Sequence, residues 1–370
     1  MRILFTHAFC WPEVRRGAER FIQELGAALS RRDHEVEILS AAWEAEDSQL
    51  DGVVTTRLRR RHEDGYAHEA DFGRRILPRL VVGRYDVVHS MGRRDALASV
   101  RAQRVHPKRR TVITDLGLPS REYWSPMTKE ARVVEQVVAG IDVYSCMSRY
   151  ALEYLARDYG RTDGFVIPGG VNMASFRPSA ARTPNPTLLF SGALDEPRKG
   201  LGTLLAALPA IAAVEPEVRL WLSGPGDPAA FLASATDDAV ARTEVLGRGE
   251  ANAQHERYGQ AWATCLPSVS DSFGMALVES LACGTPLVVS TDGAPQELVD
   301  PGVNGELCAP HDAAGLAQAC LRGFELARRS DTVTRCRDTA ARFDWDTGLA
   351  PHCEAIYQGA GVAWGSAAAA

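Results

Sequence analysis

Strand-length apolar segments alternate with helix-length amphipathic segments along most of this chain, and this alternation restricts the fold more than any other feature. The first apolar run, MRILFTH, precedes a segment whose apolar residues recur at helical spacing: Phe21, Ile22, Leu25, Ala28 and Leu29. HEVEILSA then follows with the alternation of a strand, so the three segments predict a βαβ unit. Strands that alternate with helices of this length indicate a parallel, doubly wound sheet.

The alternation occurs twice, on either side of a proline-rich stretch. Residues 173–186 contain three prolines and no apolar periodicity, so we predict a linker there. Residues 1–172 are predicted to form one domain and residues 187–349 a second, and 370 residues are enough for two cores. An amphipathic segment at about 350–364 is expected to form a helix that packs back on the first domain. The predicted fold class is α/β, with two tandem Rossmann-like parallel-sheet domains that face a central cleft.

The first strand is not followed by a G-x-G-x-x-G sequence, which argues against a dinucleotide cofactor. In open parallel sheets, ligands bind beyond the carboxyl ends of the strands, where loops lead into helix N-termini that favour anions. The strand-to-helix loops that face the expected cleft are therefore the candidate binding segments.

Composition excludes several other classes of protein. With 45% apolar and 24% charged residues the chain is neither disordered nor membrane-embedded, and runs such as PLVVS fall far short of the roughly 20 residues that a spanning helix needs. The start of the chain lacks the pattern of a signal peptide, so we expect a cytoplasmic protein. The eight cysteines are widely spaced and form no C-x-x-C pair, which predicts free, mostly buried thiols.

Charge is distributed unevenly along the chain. Residues 1–178 carry 28 Lys and Arg against 24 Asp and Glu, whereas the remainder carries 13 against 23, so the N-terminal half is the expected face for an anionic partner. The densest basic patch, at 57–65, is interpreted as a solvated loop, with a peripheral contact to a membrane or another polyanion as the alternative. No nucleic-acid-binding motif is present, so no nucleic-acid partner is expected.

The segment DSFGMALVES, residues 271–280, places two carboxylates around a Phe-Gly pair. A helix that begins near Phe273 or Gly274 would have Asp271 just before its start and Glu279 within its first two turns. Its unpaired first-turn amides, which suit a diphosphate, would be those of Gly274, Met275 and Ala276. The alternative is an N-cap Asp with a surface Glu. The apolar flank weakens that alternative, because a carboxylate among buried neighbours is costly unless it is paired.

A second candidate loop is SGALDEPRKG, residues 191–200, in which Arg198 and Lys199 precede a helix start. Such a cationic pair could neutralise a leaving diphosphate. The chain has only three lysines, at 108, 129 and 199, against 38 arginines, so a lysine at this place favours a specific role over generic surface charge. A solvated turn is the alternative interpretation.

The segment PSVSDSFGMALVESLACGTPLVVS resembles the signature region of the retaining glycosyltransferases of family 4, which have the GT-B fold. The similarity extends over nearly the whole chain, from GAER to the C-terminal helix. It implies that Glu279 hydrogen-bonds the ribose hydroxyls of a nucleotide. Asp271 takes the place of a glutamate that contacts hydroxyls of the donor sugar, and it is one methylene shorter.

The same resemblance implies that Lys199 binds the donor phosphates. The family also uses an arginine just after the preceding strand, but this chain has Ala193 at that position, so Arg198 is expected to substitute. The backbone around Phe273 and Gly274 completes the implied phosphate site. In the loop that contains VLGR, the backbone at Arg248 is expected to contact the base.

Two N-terminal loops also match the family in part. Gly17 matches the second glycine of a Gly-Gly pair near the donor phosphates, with Arg16 in place of the first, and a plain helix-start turn is the alternative. The family has a His-x-His sequence whose second histidine lies close to the donor sugar. Here the second position is Met91, so His89 is expected either to contact the donor sugar or simply to end a buried strand.

The resemblance implies a retaining, metal-independent hexosyltransferase that moves a sugar from a UDP- or GDP-linked donor to an acceptor hydroxyl by a front-face mechanism. No cofactor is expected beyond the nucleotide sugar itself. The N-terminal domain, with variable loops at 41–80 and 117–127, would bind a small-molecule, lipid-linked or glycan acceptor. A sugar-nucleotide-binding regulator without transferase activity is one alternative, and a GT-B phosphorylase or epimerase is another. The Arg-rich, Lys-poor composition indicates a GC-rich bacterial genome.

Overall fold

The computed structural model describes residues 1–14, 17–249, 251–361 and 363–364. The chain forms two compact units. The first contains Met1–Gly170 together with the residues from Trp345 onward, and the second contains Val171–Asp344. Each is built on a largely parallel sheet with helices between the strands, so the predicted α/β fold class with two Rossmann-like units is confirmed.

The first unit contains an eight-stranded sheet. Its strands are β1 (Arg2–Thr6), β2 (Glu35–Ala42), β3 (Ser48–Leu50), β4 (Val53–Arg59), β5 (Val87–Ser90), β6 (Arg110–Asp115), β7 (Val143–Cys146) and β8 (Phe165–Val166). They lie in the order β3-β4-β2-β1-β5-β6-β7-β8, and β3 pairs antiparallel with β4 while the other pairs are parallel. Because β1 lies between β2 and β5, the direction of winding reverses there.

The helices of the first part of the chain are α1 (Gly17–Ser30), α2 (Gly65–Val82), α3 (Arg93–Gln103), α4 (Arg121–Trp124), α5 (Thr128–Gly140) and α6 (Arg149–Tyr159). The segment 41–80, predicted to be variable loops, is instead mostly regular, since it holds β3, β4 and most of α2. Phe72, Ile76 and Leu80 recur at i, i+4 spacing and are buried, which is why this segment forms a helix. The segment 117–127 contains only the single turn of α4.

The second unit contains a six-stranded sheet in which every pair is parallel. Its strands are β9 (Thr187–Ser191), β10 (Arg219–Ser223), β11 (Thr243–Gly247), β12 (Ala263–Leu266), β13 (Leu287–Ser290) and β14 (Gly305–Cys308). Their order is β11-β10-β9-β12-β13-β14, so the winding reverses between β9 and β12. Every residue of β9, β12 and β13 is buried, which explains why these strands are nearly continuous apolar runs.

The helices of the second unit are α7 (Leu201–Ala212), α8 (Ala229–Ala233), α9 (Asp237–Ala241), α10 (Ala251–Gln260), α11 (Met275–Ala282), α12 (Ala313–Arg328) and α13 (Thr332–Ala341). The predictions from sequence did not include α12 or α13. In α12 the buried residues Leu316, Cys320 and Phe324 recur four positions apart, and they cover one face of the sheet.

The predicted linker at 173–186 belongs to the second unit and is not a free connection. The guanidinium of Arg182 donates to the carbonyl oxygens of Ala261 at 2.7 Å and Gly284 at 3.1 Å. Prolines prevent regular structure in this stretch, but the Arg182 side chain attaches it to the loops before β12 and after α11. The chain passes from one unit to the other at 170–171 and at 344–345.

The C-terminal segment lies in the first unit and forms the helix α14 (Ala350–Tyr357), which ends before the expected residue 364. Trp345 is fully buried and meets Phe21 of α1 edge-on, with ring centroids 5.5 Å apart. A salt bridge of 2.6 Å joins Arg32 to Glu354. These contacts hold the end of the chain against the first unit.

All eight cysteines are free and buried, as expected from their spacing. Burial raises the pKa of Cys283 and Cys336 to about 12. Within the described residues, none of the helices combines the length and apolarity that crossing a membrane requires.

Candidate functional site

The winding of the second sheet reverses between β9 and β12, and the loops that follow these two strands carry the predicted site residues. Arg198 and Lys199 lie in the loop after β9, and Asp271 lies in the loop after β12. The carboxyl ends of parallel strands share one edge of the sheet, and a ligand crevice forms where the strand order reverses. The topology therefore places both loops at the position where such folds bind ligands.

The two loops are joined by an ion pair. Lys199 Nζ donates to Asp271 Oδ2 at 2.6 Å, and Arg198 Nη1 lies 3.6 Å from Asp271 Oδ1. The backbone N–H of Val269 donates to the Arg198 carbonyl at 2.9 Å. Asp271 is 5% exposed, so its carboxylate is largely covered and lies against the side chains of Lys199 and Arg198. The structure thus brings together all three residues for which the sequence predicted a catalytic role.

The electrostatics of this cluster fix the charge of Asp271. Burial disfavours the ionised carboxylate, but Lys199 and then Arg198 outweigh it and hold the pKa of Asp271 below its ordinary value. Arg198 also donates to Glu196 at 2.7 Å. A diphosphate bound at this edge of the sheet would therefore contact Lys199 and Arg198, which already have carboxylate partners. Lys199 can serve both, because an ammonium has three donors.

Gly200 allows the two loops to approach each other closely. Its φ is +81°, and a Cβ at this position would lie 2.3 Å from the carbonyl oxygen of Pro267. A side chain would therefore push Lys199 away from Asp271. Sequence reasoning did not single out this residue, although a glycine between Lys199 and an apolar helix was the available signal.

Helix α11 begins directly after this cluster. Gly274 is its N-cap, with φ +97°, and the helix starts at Met275. The N–H groups of Met275 and Ala276 precede any possible i−4 partner within the helix, so they are available to a ligand or to water. Phe273 is buried and packs on Phe343, with ring centroids 5.8 Å apart, which fixes the backbone at the start of the helix.

Asp271 and Glu279 do not take the alternative roles considered for them. The N-cap is Gly274, so Asp271 does not cap the helix. Glu279 lies in the second turn of α11 and is only 6% exposed, so it is not a surface residue. Both carboxylates are buried, Asp271 just before α11 and Glu279 within it.

The remaining predicted donor residues lie in other loops. Arg248 is exposed, in the loop after β11, between Gly247 and Gly249, which both have positive φ. Gly17 is exposed and begins α1 in the first unit. Arg16 lies outside the described residues.

His89 does not have the geometry of a donor-sugar contact. Its side chain is completely buried at the end of β5. One ring nitrogen lies 2.7 Å from the hydroxyl of Tyr357 and the other 2.7 Å from that of Thr114. Burial lowers the pKa of His89 to about 3, so the ring is neutral at physiological pH. The alternative, a histidine that ends a buried strand, describes this residue.

Two family models match the chain. Residues 15–175 match the model described as glycosyltransferase family 4, and residues 185–325 match the model described as glycosyl transferases group 1. A phosphatidyl-myo-inositol mannosyltransferase of Mycolicibacterium smegmatis is 33% identical over 57% of this chain. The chain spans 55% of the length of that relative. A glycogen synthase of Mycobacterium tuberculosis is 29% identical over 94% of this chain and 92% of its own length.

Solved structures with the same fold cover nearly the whole chain. Sucrose-phosphate synthase from Thermosynechococcus elongatus has a TM-score of 0.83 at 22% identity, covering 97% of this chain and 98% of its own. Anabaena Alr3699/HepE in complex with UDP and glucose has a TM-score of 0.74 at 19% identity, covering 96% and 98%. At these identities the likeness concerns the fold.

Proposed function

The chain belongs to the family 4 type of glycosyltransferases and has the GT-B fold, and from this we propose that it transfers a sugar from a nucleotide diphosphate sugar to an acceptor hydroxyl with retention at the anomeric carbon. The observation that carries the proposal is the Lys199–Asp271 ion pair at the point where the second sheet reverses its winding. A cation and an ionised carboxylate are placed there side by side. A donor has an anionic diphosphate and a sugar rich in hydroxyls, and it needs both.

In the proposed complex, the diphosphate binds Lys199 and Arg198 together with the first-turn amides of α11. The positive end of the helix dipole adds to the two cations. Asp271 accepts hydrogen bonds from hydroxyls of the donor sugar, and Glu279 accepts them from the ribose. The carboxylate of Asp271 is held ionised by its neighbours, so it is ready to act as an acceptor.

The proposed reaction breaks the bond between the anomeric carbon and the phosphate oxygen and forms a bond from that carbon to the acceptor oxygen on the same face. The acceptor's proton passes to an oxygen of the leaving phosphate. Lys199, Arg198 and the α11 amides stabilise the negative charge that develops on this phosphate, which is the role of preorganised electrostatic stabilisation. These groups supply the positive charge in place of a metal ion, so we propose metal-independent transfer.

The names of similar proteins guide the choice of donor and acceptor to test. Alr3699/HepE was solved with UDP, UDP-glucose, and UDP with glucose. The mannosyltransferase relatives are named for phosphatidyl-myo-inositol, and another solved neighbour is a lipopolysaccharide outer core galactosyltransferase. We therefore propose a UDP- or GDP-linked hexose as donor. The acceptor classes to test are lipid-linked, glycan and small-molecule hydroxyl compounds.

A thermal-shift panel of UDP, GDP and their hexose derivatives tests the donor half of the proposal, because a ligand that binds the native state raises the melting temperature. The compound with the largest shift is then incubated with the three acceptor classes, and the anomeric configuration of the product is determined by NMR. Transfer with retention supports the proposal. Binding without transfer or hydrolysis would favour a regulator, and consumption of inorganic phosphate would favour a phosphorylase.

A further inference from the structure

The edge of the second sheet contains an irregularity that the proposed chemistry does not use. Along β10 and β11 the pairing runs from Leu222 with Val245 directly to Ser223 with Gly247, so Leu246 is the extra residue of a β-bulge. Bulges of this kind occur next to functional sites, where they redirect a segment of backbone. This bulge lies at the carboxyl end of β11, on the same edge of the sheet as Lys199.

Arg257 of α10 fills the bulge. One guanidinium nitrogen donates to Gly247 O and to Ser223 Oγ, both at 2.8 Å, and the other donates to Leu246 O at 3.0 Å. A single side chain therefore satisfies the carbonyl that the bulge takes out of the ladder. It also connects the ends of β10 and β11.

The loop after the bulge lies in close contact with the guanidinium of Arg257. Gly247 and Gly249 have φ values of +59° and +64°, which disfavour any residue with a side chain. A Cβ on Gly249 would lie 2.7 Å from Arg257 Nη2, so a side chain there would displace the guanidinium from its acceptors. The shape of residues 246–249 thus depends on Arg257.

The neighbouring strands are attached to α10 in the same way. The hydroxyls of Tyr258 and Ser191, at the end of β9, lie 2.8 Å apart, and Ser223 Oγ donates to Gln254 at 2.7 Å. Helix α10 therefore holds the carboxyl ends of three adjacent strands in fixed positions. The loop after β9 carries Lys199, and the loop after β11 lies two strands away, about 10 Å at the usual strand spacing.

We infer that Arg257 is a positioning residue for the nucleoside end of the donor. This inference rests on the proposed function, in which the diphosphate binds at Lys199 and α11. In the proposed complex the nucleoside extends from the diphosphate along the sheet edge toward β11, and the loop at 246–249 offers a backbone of fixed shape at that distance. Arg257 acts through this backbone and not through the phosphates.

Calorimetry with the full chain tests the inference, with UDP, GDP and inorganic pyrophosphate as probes. We expect Arg257→Ala to weaken binding of the nucleotide that binds the wild type by about tenfold or more, as for lost hydrogen bonds to a charged group. Pyrophosphate lacks the nucleoside and would not reach the loop at 246–249, so its affinity should change by less than about twofold. Arg257→Lys should restore part of the nucleotide affinity, because one ammonium can reach some of the three acceptors but lacks the planar fork.

Arg242→Ala is the matched control. Arg242 lies just before β11, at the end of the strand away from the bulge, and it pairs with Asp238 at 2.9 Å. Its loss should leave the ratio of nucleotide to pyrophosphate affinity unchanged. Should Arg257→Ala fail to fold, Ser223→Ala removes one partner of the guanidinium and should produce a smaller loss in the same direction.

The inference is overturned if Arg257→Ala leaves nucleotide affinity unchanged, or if nucleotide and pyrophosphate affinity fall by the same factor. A wild-type protein that binds pyrophosphate but neither UDP nor GDP would contradict the proposed donor class and, with it, this inference. If the wild type binds a nucleotide and Arg257→Ala leaves the ratio of nucleotide to pyrophosphate affinity unchanged, the inference is contradicted but the proposed donor class is not.

Discussion

The ammonium of Lys199 lies 2.6 Å from the carboxylate of Asp271, although 72 positions separate the two residues in the chain. The pair joins the loops after β9 and β12. Both partners are largely buried, with side chains 17% and 8% exposed, so solvent screens the interaction less than it would a surface pair. The ion pair therefore keeps Asp271 ionised and also holds the Lys199 ammonium where a diphosphate would bind in the proposed complex.

Replacement of Lys199 by alanine should therefore reduce turnover by roughly 10²–10³, the usual cost of losing one preorganised stabiliser of developing charge. The measurement is the rate of sugar transfer at saturating donor. Lys129→Ala is the control, because Lys129 is exposed on α5 of the first unit. Turnover within about twofold of wild type in Lys199→Ala would remove the lysine from the proposed mechanism.

Glu279→Ala should abolish detectable binding of the nucleoside diphosphate, because the proposed contact with the ribose would be lost. Isothermal titration calorimetry gives the affinity. Glu306→Ala is a suitable control, since Glu306 is also a buried glutamate of the second unit but lies on the edge strand β14, paired with Arg322 at 2.7 Å. Equal nucleotide affinity in the wild type and Glu279→Ala would contradict the assigned role.

Gly200→Ala should lower both stability and turnover. The left-handed backbone destabilises a residue with a side chain by about 1–2 kcal/mol. In addition, the clash of the new Cβ with Pro267 O would move Lys199 away from Asp271. Gly302→Ala separates these effects, because Gly302 has φ +75° but an added Cβ would meet no atom within 4 Å. Denaturant unfolding should show a loss in both variants, whereas turnover should fall only in Gly200→Ala. Similar turnover in the two would contradict the steric argument.

The burial of His89 predicts how stability changes with pH. Its pKa is about 3 in the folded chain and about 6.5 when unfolded, so between these values the unfolded state binds a proton that the folded state excludes. The contribution of neutral His89 is thus complete above pH 6.5 and is lost as pH falls toward 3, by up to about 1.4 kcal/mol per pH unit.

Urea unfolding of the first unit at several pH values, for wild type and His89→Gln, measures this contribution. The difference in unfolding free energy between the two proteins should be constant above pH 7 and should shrink below pH 6. Asp95, whose pKa burial raises to about 6, has the opposite effect on stability, but it is present in both proteins and cancels. A pH-independent difference would show that His89 titrates normally in the folded chain.

The sequence predicted the parts of the fold that depend on local periodicity. The repeated alternation predicted the two parallel-sheet units, because buried parallel strands are short apolar runs bounded by turn residues. Helix α2 was missed because charged residues surround its Phe72–Ile76–Leu80 series. The contacts of 173–186 could not be predicted, because Arg182 meets Ala261 and Gly284, which lie far away in the chain.

For the candidate site, residue types and spacing identified Lys199, Arg198 and Asp271, which the structure brings together. For His89 the sequence left two roles open, since nothing local to VVHS indicates that Tyr357 would reach it from the end of the chain. Arg257 and Gly200 were not found from sequence, because their importance comes from backbone atoms of other loops. An isolated arginine on an amphipathic helix is indistinguishable from surface charge until those partners are known.

The burial of all eight thiols makes the chain a favourable host for site-specific chemistry. Maleimide reagents need an accessible thiolate, and the native cysteines are both covered and, at Cys283 and Cys336, hard to ionise. A single cysteine introduced on an exposed position of each unit would therefore accept a fluorophore or spin label without prior removal of the native ones.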